Sequence, residues 1–273
     1  ADRLPVAAPP RSSSRAVAIV AICVGGALIL GTVLTGVASA LWAAGPGAAT
    51  GSRSADAAGV SALSLDVSAG HVVIAYADVD EATLEVSGGD RGWRLERQGD
   101  TLSLSNSRPW WAGWDGWDGT TSRGTLTLPA ALADEKLDAR FEVSAGSITA
   151  DGTYGTLLVE VGAGDADVTG SADDLTVDVS AGSADVTLSD VQQGNLVIGA
   201  GEIVATLTGT APDEVLVDVS AGTLVATLPD EAYDVRSDVS VGSLDNLLST
   251  STGAARTVDV QVSAGDVTLR PLP

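Results

Sequence analysis

The chain has 273 residues, with 14 Lys and Arg against 36 Asp and Glu, a formal net charge of -22, one Cys, one His and no Met. So acidic a body repels nucleic acid and anionic lipid, and any electrostatic partner is expected to be cationic. The lone Cys23 excludes an intramolecular disulfide and a thiolate cluster, and the lone His71 excludes a His-based triad or a multi-His metal site, so no metal or cofactor is expected.

Residues 1–15 are rich in Pro, Ser and Arg, with Arg3, Arg11 and Arg15 against Asp2, and read as a basic tail. No Met stands at position 1, so the native tail is expected to extend beyond Ala1. Residues 16–44 carry no charge, and this run exceeds the roughly 20 residues that cross a bilayer core, which predicts one transmembrane helix. Arg11 and Arg15 place the tail in the cytoplasm by the positive-inside rule, with the rest of the chain outside a cell membrane crossed once and Trp42 at the outer interface. Cleavage after the small-x-small site Ala38 to Ala40 is the competing reading, but a cleaved apolar region is usually about 7 to 15 residues. Cys23, Ala27, Gly31, Thr35 and Ser39 recur every four residues, a small-residue stripe through which two such helices could approach and oligomerise.

Residues 45–60 (GPGAATGSRSADAAGV) have the composition of a linker. An external domain is expected over 61–270. Its first part alternates apolar and polar residues at 62–67, 71–76, 82–86 and 101–105, as half-buried strands do. A Trp-rich segment, 109–119 (PWWAGWDGWDG), then interrupts it.

One motif recurs, an acidic residue, Val, Ser, Ala and Gly followed by another alternating run: it ends at Gly70, Gly146, Gly182 and Gly222, as VSAG at Gly265, and in looser copies at Gly164 (EVGAG), Gly201 (VIGAG) and Gly242 (DVSVG), with the regular array beginning at Leu137. Its glycines, Gly146, Gly164, Gly182, Gly201, Gly222, Gly242 and Gly265, are separated by 18, 18, 19, 21, 20 and 23 residues. A fixed period of this length marks stacked structural units. With Asp or Thr facing out and Val or Leu facing in, the pattern predicts an all-β fold: a single-stranded β-solenoid of coils 18–23 residues long, preceded by the transmembrane helix. The glycines are expected at corners in one column, supplying backbone freedom, with Val143, Val161, Val179, Ile198, Val219 and Val239 buried just before them. A β-sandwich of hairpins is the alternative architecture.

The strand GTLTLP (124–129), the segment LDARFEVSAG (137–146) and the run SITADGTYGTLLVEVGAGDADVTGSADDLTVDVSAGSADV after it resemble a bacterial domain family of unknown function known as putative adhesins, or toast-rack domains. The resemblance spans about residues 61–270. It implies a β-solenoid on the bacterial envelope, often behind one transmembrane helix and sometimes linked to envelope stress systems. It brings no catalytic residues. The Ala-rich, Lys-poor composition points to a high-GC, actinobacterial source.

The candidate binding residues are Trp110, Trp111, Trp114 and Trp117, because a loop of Gly and Asp cannot bury four indoles within itself. They are expected to stack on a cell-wall glycan, to contact an envelope protein or the membrane, or to cap an open end of the stack. The acidic residues before the turns, Asp66, Glu142, Glu160, Asp178, Asp218 and Asp238, form an expected column without the spacing of the nonapeptide calcium repeat. The leading reading is therefore a non-catalytic, membrane-anchored surface module, a putative adhesin or envelope interaction module. Envelope stress sensing is the second reading and a glycan-active enzyme the third.

Overall fold

A computed structural model describes residues 51–89, 92–106 and 122–273. The expected tail 1–15 and helix 16–44 lie outside these residues. No helix among the described residues is long and apolar enough to cross a membrane.

Strands make up most of the described chain. In order these are β1 (Gly51–Asp56), β2 (Ala62–Val67), β3 (His71–Ala77), β4 (Glu81–Ser87), β5 (Trp93–Gln98), β6 (Thr101–Asn106), β7 (Arg123–Pro129), β8 (Leu137–Val143), β9 (Ser147–Val161), β10 (Asp165–Val179), β11 (Ser183–Ser189), β12 (Gln193–Ile198), β13 (Glu202–Thr208), β14 (Glu214–Leu228), β15 (Ala232–Asn246), β16 (Ser249–Thr250) and β17 (Arg256–Pro271). One short 3-10 helix, Ala130–Ala133, links β7 to the strands that follow. All the strands belong to one sheet.

Each repeat contributes a rung with two limbs, one before its Gly corner and one after. Successive rungs pair in parallel and in register, so Asp165 lies beside Ser147 and Ser183, and Val177 beside Val159 and Leu196. Strict alternation puts Leu157, Val159 and Val161 of one limb, and Ala166 and Val168 of the next, into a single continuous core.

The glycines do stand in one column, and conformational freedom accounts for only the end members of it. Gly146, Gly164, Gly182, Gly201 and Gly222 lack the left-handed φ seen at Gly70, Gly242 and Gly265. Instead, a Cβ on any of them would lie closer than 3.0 Å to the carbonyl oxygen of the glycine one rung below. The corners rest main chain on main chain, and only hydrogen fits between them.

The order of the rungs departs from the order of the sequence at both ends. Sequential stacking predicts β15 on β14, but β17 lies between them, paired with β14 on one side and β15 on the other. Val239 is therefore on the terminal rung and 36% exposed, where the pattern predicts burial, and Val262 takes the core position beside Val219. The inward positions explain the choice. β17 offers Val258, Val260, Val262, Val267 and Leu269, whereas in the same register β15 offers Val235, Ser237, Val239, Leu244 and Asn246. Burying an unpartnered Ser or Asn costs about 1–3 kcal/mol, so the more polar rung takes the outside. At the other end the β6 and β7 rung is slotted between the β2 and β3 rung and an antiparallel cap, in which β4 pairs with β7 and β5 with β6. Trp93 seals the core there over Gly124, where a Cβ would strike its ring.

Residues 51–56, part of the expected linker 45–60, form β1 and pair antiparallel with β4. β1 buries none of its residues fully, which is why no apolar period marks it in the sequence.

Two substitutions separate close approach from mere burial. Gly182→Ala is expected to cost about 3 kcal/mol, because its methyl meets backbone that cannot yield. Gly194→Ala, whose methyl would find side chains at 3.9 Å, is expected to be neutral or slightly stabilising. Denaturant midpoints of the two variants measure the difference.

Candidate functional site

Among the described residues, eight of nine rungs join their limbs through a three-residue corner ending in the stacked glycine: 68–70, 144–146, 162–164, 180–182, 199–201, 220–222, 240–242 and 263–265. The ninth joins β6 to β7 through residues 107–122. The Trp-rich segment thus replaces a corner of the column. Trp110, Trp111, Trp114 and Trp117 themselves lie outside the described residues, but both stems of the insertion are visible and both are braced.

Asn106 ends the β6 stem at the register position that Val67 fills next door, and it is 7% exposed. Its side-chain NH2 donates to the Ala69 carbonyl, and its side-chain oxygen accepts from the Ala69 N–H at 3.4 Å. On the other stem, the Ser122 carbonyl accepts from the His71 N–H at 2.9 Å. The neighbouring 68–70 corner is thereby held from both sides. The sequence contains the signal for Asn106, since TLSLSN sets an Asn where ALSLDV sets a Val, but alternation alone reads past it.

Next to this corner, the His71 Nδ1 and the Ser147 Oγ are 2.6 Å apart. Burial and the nearby Arg123 guanidinium both disfavour the charged imidazole and lower its pKa. A neutral His71 therefore serves as a hydrogen-bond partner within an outward column that continues through Asp165 and Ser183, where the Ser183 hydroxyl donates to Asp165 at 2.6 Å.

The acidic column on the opposite limb is real in its register. Asp66, Glu142, Glu160 and Asp178 are successive neighbours, followed by Val197, Asp218, Gln261 and Asp238. Arg140 pairs with Glu160 and stands 3.8 Å from Glu142, so a cation of the chain's own relieves the repulsion where the column is densest. A groove of about 300 Å³ runs here between Arg140, Glu142, Glu160, Asp178, Ser144 and Ser180. On the second limb, Asp167 and Asp185 are register neighbours. Partial desolvation raises the pKa of both, and the charges of Asp167 and Glu202 raise Asp185 further. Among the described residues no three His, Cys, Asp or Glu side chains converge as a metal site.

No family model and no curated protein matches this chain. Among solved structures it is similar to a putative adhesin from Bacteroides fragilis, at 14% identity and TM-score 0.48, covering 83% of this chain and 99% of that one. It is also similar to a putative adhesin from Parabacteroides distasonis, at 17% identity and TM-score 0.44, covering 80% of this chain and 96% of that one. A putative cell adhesion protein from Clostridium sporogenes is a third, at 12% identity and TM-score 0.32, covering 83% of this chain and 100% of that one.

The crowded carboxylates have a signed consequence for pH. Because folding raises the pKa of Asp185, its ionisation opposes the folded state at neutral pH, and the penalty disappears once both states are protonated below the ordinary value of 3.8. Asp185→Asn is therefore expected to raise Tm at pH 7 and to lose that advantage progressively in acid. Thermal melts of the two proteins from pH 7 to pH 3 read this directly.

Proposed function

We propose that the chain is a non-catalytic, membrane-anchored β-solenoid that presents its Trp-rich insertion to an uncharged partner in the cell envelope, a wall glycan or an envelope protein. The observation that carries this reading is the placement of the insertion. Every other described rung keeps the short corner, and the one that departs from it carries four of the chain's six Trp residues on stems braced by Asn106 and Ser122. Aromatic faces stack on sugar rings and dominate protein interfaces, whereas the rest of the body offers small residues and carboxylates that bind an uncharged partner weakly. The parallel, in-register rungs support the solenoid reading, and the uncharged run 16–44 supports the anchor. In this arrangement the helix tethers, the stack extends, and the insertion makes contact.

Changing Trp110, Trp111, Trp114 and Trp117 together to Ala is expected to abolish capture of wall polymer or envelope protein, with single hot-spot truncations costing more than about 2 kcal/mol. The melting of the stack should stay unchanged. A large fall in Tm with unchanged capture would make the indoles a structural cap instead. Membrane anchoring has its own test: protease added to intact, wall-stripped cells should remove the β-domain, whereas a soluble chain beginning at Leu41 would establish cleavage.

A further inference from the structure

We infer that the gap between β14 and β15 is a strand-acceptor site, and that residues 256–271 from a second copy of this chain can fill it in place of the chain's own β17. The chain completes β14, crosses residues 229–231, and lays down β15 two levels away before 247–255 return it to the level between. Three residues reach about 10 Å, enough for that step of two strand spacings. β17 thus enters between two strands that precede it.

What holds β17 is independent of which chain supplies it. Val258, Val260 and Val262 continue the core column, Gly265 seats between Gly222 and Gly242, and ladder pairing runs along both edges. The covalent tie is the mostly exposed 247–255 segment, with Gly253 in the left-handed region. Direct closure of β15 on β14 is disfavoured from both faces. It would bury Ser237, and it would set Asp238 beside Asp218, which the neutral Gln261 now separates. With β17 withdrawn, β14 is left with an unpaired edge and an apolar floor that β15 does not complement, and the complement of both is another β17.

Cross-linking of the full chain tests this in a Cys23→Ser background, so that only introduced thiols react. Positions 218 and 261 are register neighbours about 5 Å apart, within disulfide reach, whereas 218 and 238 are about 10 Å apart and outside it. The double variant Asp218→Cys/Gln261→Cys is expected to close within one chain. Mixing Asp218→Cys protein with Gln261→Cys protein below the melting transition is expected to give a disulfide-linked dimer whose yield rises with concentration. That yield should stand several-fold above an Asp178→Cys and Gln261→Cys mixture, and the quadruple Trp change should leave it unaltered. A mixture that stays monomeric while the double variant closes internally would overturn the exchange, as would equal dimer in the Asp178→Cys control. Failure of the double variant to close would overturn the inserted strand itself.

Discussion

Main chain resting on main chain at the corners is the constraint from which the rest of this structure follows. Two strands can lie at hydrogen-bonding distance on both limbs only if the bend between them is as thin as the strands are, and a methyl group at the column from Gly146 to Gly222 is already too thick. The glycine therefore fixes the register of each rung that carries this corner on its neighbour. Once the register is fixed, alternation decides which residues are buried, and Val179 meets Val161 and Ile198 without further instruction.

The same constraint explains which parts of the fold were legible in the sequence. The Val-x-Val limbs and the Gly column repeat locally, so period and alternation identify them together with their inward residues. The order of the rungs is not a local property. Gly222 and Gly242 are 20 residues apart, as suitable for adjacency as any pair in the array, and the information that separates them lies in Ser237 and Asn246, two polar residues at inward positions of a segment whose other features match the repeat. Asn106 is a similar case: a residue that breaks the pattern marks the place where the structure does something different. β1 was illegible for the opposite reason, since an edge strand held by backbone pairing needs no apolar side chains.

Interior and surface are divided cleanly between residue types. Val, Ala, Thr and Gly build the rungs, while carboxylates cover the outward columns at some cost in desolvation and mutual repulsion, which together raise the pKa of Asp185, and Arg140 stands where the acidic column is densest. A surface of this kind resists edge-to-edge association, the standing hazard of a protein made of stacked strands. Asn106 and Ser122, where the chain leaves and re-enters the column around the Trp-rich segment, are each hydrogen-bonded to the neighbouring rung.

The displaced rungs at the two ends bear on how such a protein changes length over evolutionary time. An outer layer laid down before the layer beneath it belongs to a closed topological unit, and a repeat added beyond it would have to break that unit. The middle of the stack, from β9 to β13, has no such knot: each rung there follows its predecessor, and a duplicated 18-residue unit would enter as one more storey with the same corner and the same inward residues. Growth is thus internal, as in a telescope whose end fittings stay put. The span between the two ends would accept whole added storeys with both end arrangements left as they are.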